Sequence, residues 1–198
     1  MHVMIDIETL GNDHSTTVVS LGAVCFNKTG IISEKLFVLD YIEQIRLGRT
    51  VTGSTLQWWM AQEDGARAVF KDDPKKPKLS MAQFLADFDK FLDGSLEKIG
   101  EKRDELKPWG NGANFDITIV EDLYRRHHEK HEFAIPWKFW NVWCFRTFNH
   151  LTKARDKFKR EGIHHDALDD ARYQAQVVLN YWKSKTKTAA ASAKGKAK

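Results

Sequence analysis

The hexapeptide Val3 to Glu8, VMIDIE, alternates so that Ile5 and Ile7 fall on one side of a strand while Asp6 and Glu8 fall on the other. A strand of this kind at a sheet edge can leave its carboxylates in water. In a sheet interior, two like charges at close range raise each other's proton affinity unless a cation lies between them. The following residues favour the interior position. Thr16 to Phe26 is rich in Val and β-branched residues, and Ile31 to Leu39 follows the turn signal Asn27-Lys28-Thr29-Gly30, which predicts a three-stranded antiparallel meander.

Beyond the meander the pattern changes. Asp40 to Leu79 is long for a connection and reads as an insertion with its own structure: Ser54 is expected to cap a short helix carrying Leu56, Trp58 and Trp59, with further turns over Ala66 to Phe70. From Ser80, the positions Met81, Phe84, Leu85, Phe88, Phe91 and Leu92 recur at helical spacing, and Gly94 is expected to close that helix. Leu106 to Gly110 reads as a short strand, Asp116 to about His127 as a helix, Asn141 to Phe145 as a last strand and Arg146 to Arg155 as a helix. Lys153 to Arg160 leaves that helix as a basic loop, and the final helix spans about Asp166 to Lys183. Strands followed by alternating helices and strands predict an α/β domain with a mixed sheet.

Composition sets the outer bounds. In 198 residues, 42% hydrophobic and 29% charged, there is enough apolar matter for one core, so a disordered or fibrous chain is excluded. The longest apolar stretch, Val18 to Phe26, falls far short of a membrane span, the N-terminus lacks a signal-peptide pattern, and two cysteines make no disulfide framework. A cytoplasmic setting without a membrane partner is expected. The net charge of +4 is misleading, because Lys183 to Lys198 holds six Lys and no acid, which leaves 25 basic against 27 acidic residues in the body. That segment reads as a disordered Lys/Ala-rich tail, and residues 1–182 as a single domain.

Further acids stand at telling places. Asp116 follows a Gly-rich turn, W-G-N-G-A-N-F-D, where it could serve as an ordinary helix-start acid or project from a strand end toward a ligand. In His164-His165-Asp166-Ala167-Leu168-Asp169-Asp170, the spacing H-x4-D is met twice. Helix geometry separates the two registers. Asp169 shares its side with Arg172, Gln176 and Asn180, a solvated face, whereas Asp170 borders the apolar stripe Leu168, Ala171, Ala175, Val178 and Trp182 and needs a partner. Asp6, Glu8, Asp116 and Asp170 then make a hard oxygen set suited to Mg²⁺ or Mn²⁺, with His165 able to accept a proton near neutrality.

Together D-I-E on the first strand, N-F-D after a Gly turn, and H-D-A-L-D-D-A at the last helix resemble the three motifs of the DEDDh exonucleases. The segments S-T-L-Q-W-W-M-A-Q and P-W-G-N-G-A-N-F-D look most like bacteriophage and prophage members of the exonuclease A and exodeoxyribonuclease VIII-like type. The resemblance implies a ribonuclease H-like fold, a five-stranded mixed sheet with three antiparallel strands and then parallel ones, flanked by helices. It further implies a two-metal-ion 3′→5′ exonuclease releasing nucleoside 5′-monophosphates. Asp6, Glu8, Asp116 and Asp170 would hold the two Mg²⁺ or Mn²⁺ ions, His165 would be the general base, and Thr9, Leu10 and Phe115 would bind the terminal nucleotide. Single-stranded DNA 3′ ends are the first expected partner, RNA 3′ ends the alternative. A binding module with incidental hydrolysis is a third reading, and a homodimer is left open. One departure stands out: many relatives carry Asn four residues before the second-motif Asp, where this chain has Gly112 after Asn111.

The remaining signals have plainer readings. His127 and His131 form an i, i+4 pair without a further metal-spaced acid, and read as a solvated helix end. Trp58 and Trp59 must face different ways, so at least one belongs to the core, and base stacking is the minority reading. Lys153, Arg155, Lys157, Lys159 and Arg160 are equally well read as phosphate contacts or as an ordinary charged loop.

Overall fold

The computed structural model describes all residues except 132–133, 161, 163–164 and 196–198, and describes only the backbone at 127–131, 157 and 187–195. The alternating N-terminal hexapeptide lies inside β1 (His2–Thr9), followed by β2 (Val18–Asn27) and β3 (Gly30–Val38). With β4 (Lys107–Gly110) and β5 (Trp143–Cys144) these strands form one sheet in the order β3-β2-β1-β4-β5. β2 pairs antiparallel with β1 and β3, while β4 runs parallel to β1 and β5 parallel to β4. This is the ribonuclease H-like arrangement expected, and it makes β1 the central strand, so the acids of β1 do lie in the interior.

The two sheet faces are covered differently. Val3, Ile5 and Ile7 of β1 join Leu21, Ala23, Cys25 and Phe37 in a core closed by α4 (Met81–Glu97) and α5 (Asp116–His131). Phe84, Phe88 and Leu92 of α4 and Val120 and Leu123 of α5 supply its helical side, all without solvent exposure. The other face carries Met4, Val24, Phe26 and Trp109 against α6 (Phe145–Thr152) and α7 (Ala167–Gly195). α4 starts at a capping box in which the Ser80 side chain accepts from the Gln83 N–H and Gln83 accepts from the Ser80 N–H. It continues past Gly94, contrary to the expected stop, because Ser95 and Leu96 in the next turn are buried and hold the helix on the sheet.

Other boundaries shift for local reasons. The fifth strand is confined to Trp143–Cys144, since Phe139–Asn141 forms a 3₁₀ turn and Phe145 already belongs to α6. α6 ends at Thr152, where Lys153 adopts a left-handed conformation with φ 52°. α7 runs to Gly195, beyond the end near Lys183 expected for the last helix; Ala and Lys, abundant in that stretch, are strong helix formers.

The insertion contains α1 (Tyr41–Arg46), α2 (Gly53–Met60) and α3 (Asp64–Arg67), the last followed by a 3₁₀ turn at Ala68–Phe70. Thr52 precedes α2 as its cap residue and Ser54 lies inside the first turn, one correction to the expected start. Buried polar side chains fasten this unit to β2. Gln44 accepts from the Val18 N–H at 2.9 Å and donates to the Val18 carbonyl at 2.7 Å, and Arg49 donates to the Thr16 carbonyl at 2.8 Å while pairing with Asp122. Among the described residues no helix is long and apolar enough to cross a membrane.

Candidate active site

Asp6 and Glu8 leave β1 on the α7 side, facing the β2 residues Gly22 and Ser20 in the pairing register. The small partners matter. A Cβ at Gly22 would run into the carbonyl of Ala167, so the bare backbone there is what lets the first turn of α7 lie against the sheet. Asp166 starts that turn, its carboxylate accepting from the N–H groups of Leu168 and Asp169 at 3.0 Å each. One turn on, Asp170 reaches the β1 acids, and ligand atoms of Glu8, His165 and Asp170 all lie within 4.8 Å of one another.

Asp116 enters from the other side of β1. It opens α5 beyond the end of β4, and the backbone of Ile7 and Asn111 beside its carboxylate favours the charged form. Gly110 makes room for it, since a Cβ there would stand 2.9 Å from the Asp116 side chain. Gly112 has φ 119°, and the Arg146 guanidinium, which donates to the Asn111 carbonyl at 2.7 Å, covers the space that a side chain at 112 would need. The departure at Gly112 is thus filled from α6.

The electrostatics follow from this crowding. Burial raises the carboxyl pKa of Asp6 well above the ordinary range, reinforced by Asp116, Glu8 and Asp170. Glu8 is pushed up to about 8 by burial and then by Asp170, Asp166 and Asp116, while Arg160 acts in the opposite direction. Asp116 rises to about 7 because of burial, opposed by its backbone donors and by Arg146. Arg160 forms an ion pair with Asp170, and Gln174 donates from Nε2 to Asp6 Oδ1 at 2.8 Å. Four hard-oxygen side chains, three of them (Asp6, Glu8 and Asp116) with proton affinities raised chiefly by burial, fit a divalent cation site, since positive charge at their centre removes the conflict. Asp6, Glu8, Asp116 and Asp170 are the residues that could hold it.

His165 has a left-handed backbone, φ 63°, and its ring meets Trp58 edge to face at 4.7 Å between centroids. Histidine is among the residues that tolerate this conformation, and here it turns the imidazole toward Glu8 and Asp170. His164 lies outside the described residues. Asp169, expected to be structural, pairs with Arg172, which also holds Glu34.

Beside Glu8 a cleft of about 400 Å³ is lined by Thr9, Asn12, Ser54, Thr55, Trp58 and Phe115. Two of the expected nucleotide-binding residues, Thr9 and Phe115, therefore border it. Leu10 does not. Its side chain is buried in a satellite cluster with Val19, Trp59 and Ala66, and its backbone groups bond to Thr17 and Thr52. The paired tryptophans divide as the geometry requires: Trp59 is buried and donates to the Thr9 carbonyl at 2.9 Å, while Trp58 is exposed in the cleft. The minority reading thus has a concrete location. Of the basic loop, Arg155 lies over the rings of Phe145 and Tyr173, and Arg160 alone of the residues described with side chains there pairs with a site acid. The side chains of His127 and His131 fall outside the described residues.

A family model described as the 3′-5′ exoribonuclease Rv2179c-like domain matches residues 1–182. The chain belongs to this family. It is a 3′-5′ exonuclease, a phosphodiester hydrolase acting on nucleic acid. It is also 25% identical over 161 residues to the exodeoxyribonuclease of Enterobacteria phage T4, a match that covers 73% of this chain and 68% of the phage protein. Among solved structures, that of cell-death related nuclease 4 (CRN-4) aligns with a TM-score of 0.47 and 14% identity, covering 90% of this chain and 62% of that one. DEDD exonucleases typically use divalent metals, and the acidic cluster found here agrees with that.

Proposed function

We propose that the protein removes nucleoside 5′-monophosphates stepwise from the 3′ end of single-stranded DNA, using two Mg²⁺ or Mn²⁺ ions held by Asp6, Glu8, Asp116 and Asp170. One observation supports the reading: Glu8 of β1 and Asp170 of α7 meet His165 within 4.8 Å, with Asp6 and Asp116 close enough to act on one another and on Glu8, at the end of a cleft sized for a nucleotide. When bound, such ions supply Lewis-acid stabilisation of the charge that develops on the attacking and leaving oxygens.

The chain's own residues supply the rest. His165 takes the proton of the attacking water, held in orientation by the edge of Trp58. Thr9, Trp58 and Phe115 receive the terminal nucleoside, and a base drawn into their cleft is withdrawn from any complementary strand, which supports a single-stranded end. Arg160 and the exposed Arg146, on opposite sides of the acid cluster, neutralise substrate phosphates.

RNA is the second reading, and a specific observation favours it. Asn12, Ser54 and Thr55 border the same cleft with amide and hydroxyl groups able to meet a 2′-hydroxyl. The family description as exoribonuclease points the same way, while the phage relative's name points to DNA. The test is a matched set of DNA and RNA oligonucleotides, single-stranded and duplex, labelled at either end, with Mg²⁺, Mn²⁺ or EDTA. Shortening from the 3′ end of single-stranded DNA, lost in EDTA, is the expected outcome. Faster loss of RNA selects the second reading, and 5′-end release or activity in EDTA defeats both.

A further inference from the structure

Gln174 is the least expected residue of the α7 interface. It stands one helical turn beyond Asp170, between Ala171, Ala175 and Val178, and is 2% exposed in a surface otherwise packed with apolar side chains against β1 and β2. An amide in such a place is costly unless both its ends are paired. Here only one end is. Nε2 donates to Asp6 Oδ1 at 2.8 Å, while Oε1 is buried without a hydrogen-bond partner among the described residues. A Met of similar volume would remove the stranded Oε1 but would leave the buried Asp6 Oδ1 without its donor, so what the glutamine adds over an apolar residue is that one bond to Asp6.

What the amide does supply is direction. Asp6 is crowded by Glu8, Asp116 and Asp170, and like charges drive its carboxylate away from the point where the other acids meet. A fixed donor on a helix packed against the sheet ties one oxygen and sets the plane of the group, leaving the second oxygen to face its neighbours. The donor is neutral, so it orients the acid without contributing the positive charge that an Arg or Lys would bring into competition with a cation.

We infer that Gln174 is a positioning residue for metal binding: through its hydrogen bond it holds Asp6 in the orientation in which that carboxylate can join Glu8, Asp116 and Asp170 around a divalent cation. The inference rests on the proposed metal-binding role of Asp6. It predicts a division of effects that a packing residue would not give. Gln174→Met is expected to fold, with a metal-free melting temperature close to that of the parent, because removal of a buried unpaired acceptor offsets loss of the donor to Asp6. Its Mn²⁺ affinity, read by isothermal titration calorimetry, is expected to weaken about 10- to 100-fold. Turnover at saturating Mn²⁺ should stay within a few-fold of the parent, so that the metal concentration giving half-maximal rate shifts and the plateau does not. Gln174→Glu, which replaces the donor with a further acid, should weaken Mn²⁺ binding more than Gln174→Met does.

Asp6→Asn is the control that separates the two levels. If it binds Mn²⁺ as well as the parent, the metal-site reading falls and the inference falls with it. If Asp6→Asn loses the metal while Gln174→Met keeps the parent's affinity, the inference alone is overturned. A Gln174→Met protein that melts well below the parent with unchanged Mn²⁺ affinity makes Gln174 a packing residue, and likewise overturns it.

Discussion

The two faces of β1 differ more than any two elements of the molecule, although they alternate residue by residue. Val3, Ile5 and Ile7 enter a core built mainly of apolar side chains, whereas on the other face Met4 is followed by Asp6 and Glu8, acids buried against each other and against Asp170. One face stabilises the fold; the other stores electrostatic repulsion that a bound cation can release. Substitutions at adjacent positions should therefore act with opposite signs. Asp6→Asn is expected to reduce exonuclease turnover roughly 10³-fold or more while raising the melting temperature of the metal-free protein, since it removes one of the crowded charges. Ile5→Ala, at a position with no exposure, should cost about 2–5 kcal/mol of stability. At temperatures where that variant stays folded, its turnover should remain near the parent's. Denaturant melts and single-turnover assays on both variants check the pair, and a destabilised Asp6→Asn would break the contrast.

The acid face should also respond to pH with the reverse of ordinary carboxylate behaviour. Glu8 titrates at about 8 and Asp116 at about 7 in the folded, metal-free protein, above their unfolded values of 4.5 and 3.8. Between those limits the folded state holds protons that the unfolded state has released, so stability falls as pH rises from about 4 to 8. Metal-free melting temperatures measured across that window are expected to decline at the alkaline end. Added Mn²⁺ should recover more stability at pH 8 than at pH 5, because it binds the deprotonated acids. A Mn²⁺ increment independent of pH would count against these acids as its ligands.

Much of this contrast was legible in the sequence, and the parts that were not share a cause. The faces of β1 follow from strand alternation alone, and the choice of Asp170 over Asp169 follows from helical angles, because both rest on local geometry. Gln174 was missed although a signal existed: an amide four residues after Asp170, inside a stripe of Ala and Val, is a polar group that must find a partner. The division of labour between Trp58 and Trp59, and the withdrawal of Leu10 into the satellite cluster, depend on how α2 docks on the Thr9 and Leu10 carbonyls, contacts some fifty residues apart. Gln44 and Arg49 likewise find backbone partners across the insertion that no periodicity announces. Gly94 misled for a different reason. Its missing side chain reads as a helix end, yet burial of the turn beyond it outweighs the local preference.

Two glycines carry the comparison to the packing around β1. At Gly22, on the acid side, a methyl group meets the Ala167 backbone, and Gly22→Ala should cost about 1–3 kcal/mol while moving the first turn of α7 and with it Asp170. Both stability and metal affinity are then expected to fall. At Gly94, in α4 over the apolar face, a methyl group meets open space, and Gly94→Ala should stabilise by about 0.5–1 kcal/mol without touching metal affinity. Equal effects in the two variants would mean that α7 does not rest on the sheet through Gly22.

The smallest expected effect lies at the other end of the acid-bearing face, where His2 opens β1. Its Nδ1 accepts from Trp109 Nε1 at 2.8 Å, which requires that nitrogen to be unprotonated, and its ring packs against Phe26, Trp109 and Trp182. Burial, reinforced by Lys107, the N-terminus and Lys28, lowers its pKa from 6.5 to about 4. The unfolded chain therefore takes up a proton between those values that the folded protein refuses, so this residue's contribution is present above pH 6.5 and is lost as pH falls toward 4. The sign is opposite to that of Glu8 on the same face and of Asp116 at the start of α5, and over the acid range the two ends partly offset one another. His2→Gln keeps an acceptor for Trp109 but does not titrate. On lowering the pH from 7 to 5, the parent's melting temperature should drop relative to that variant's by about 2–4 °C, whereas parallel melting curves would place the pH response of this face wholly in the carboxylates.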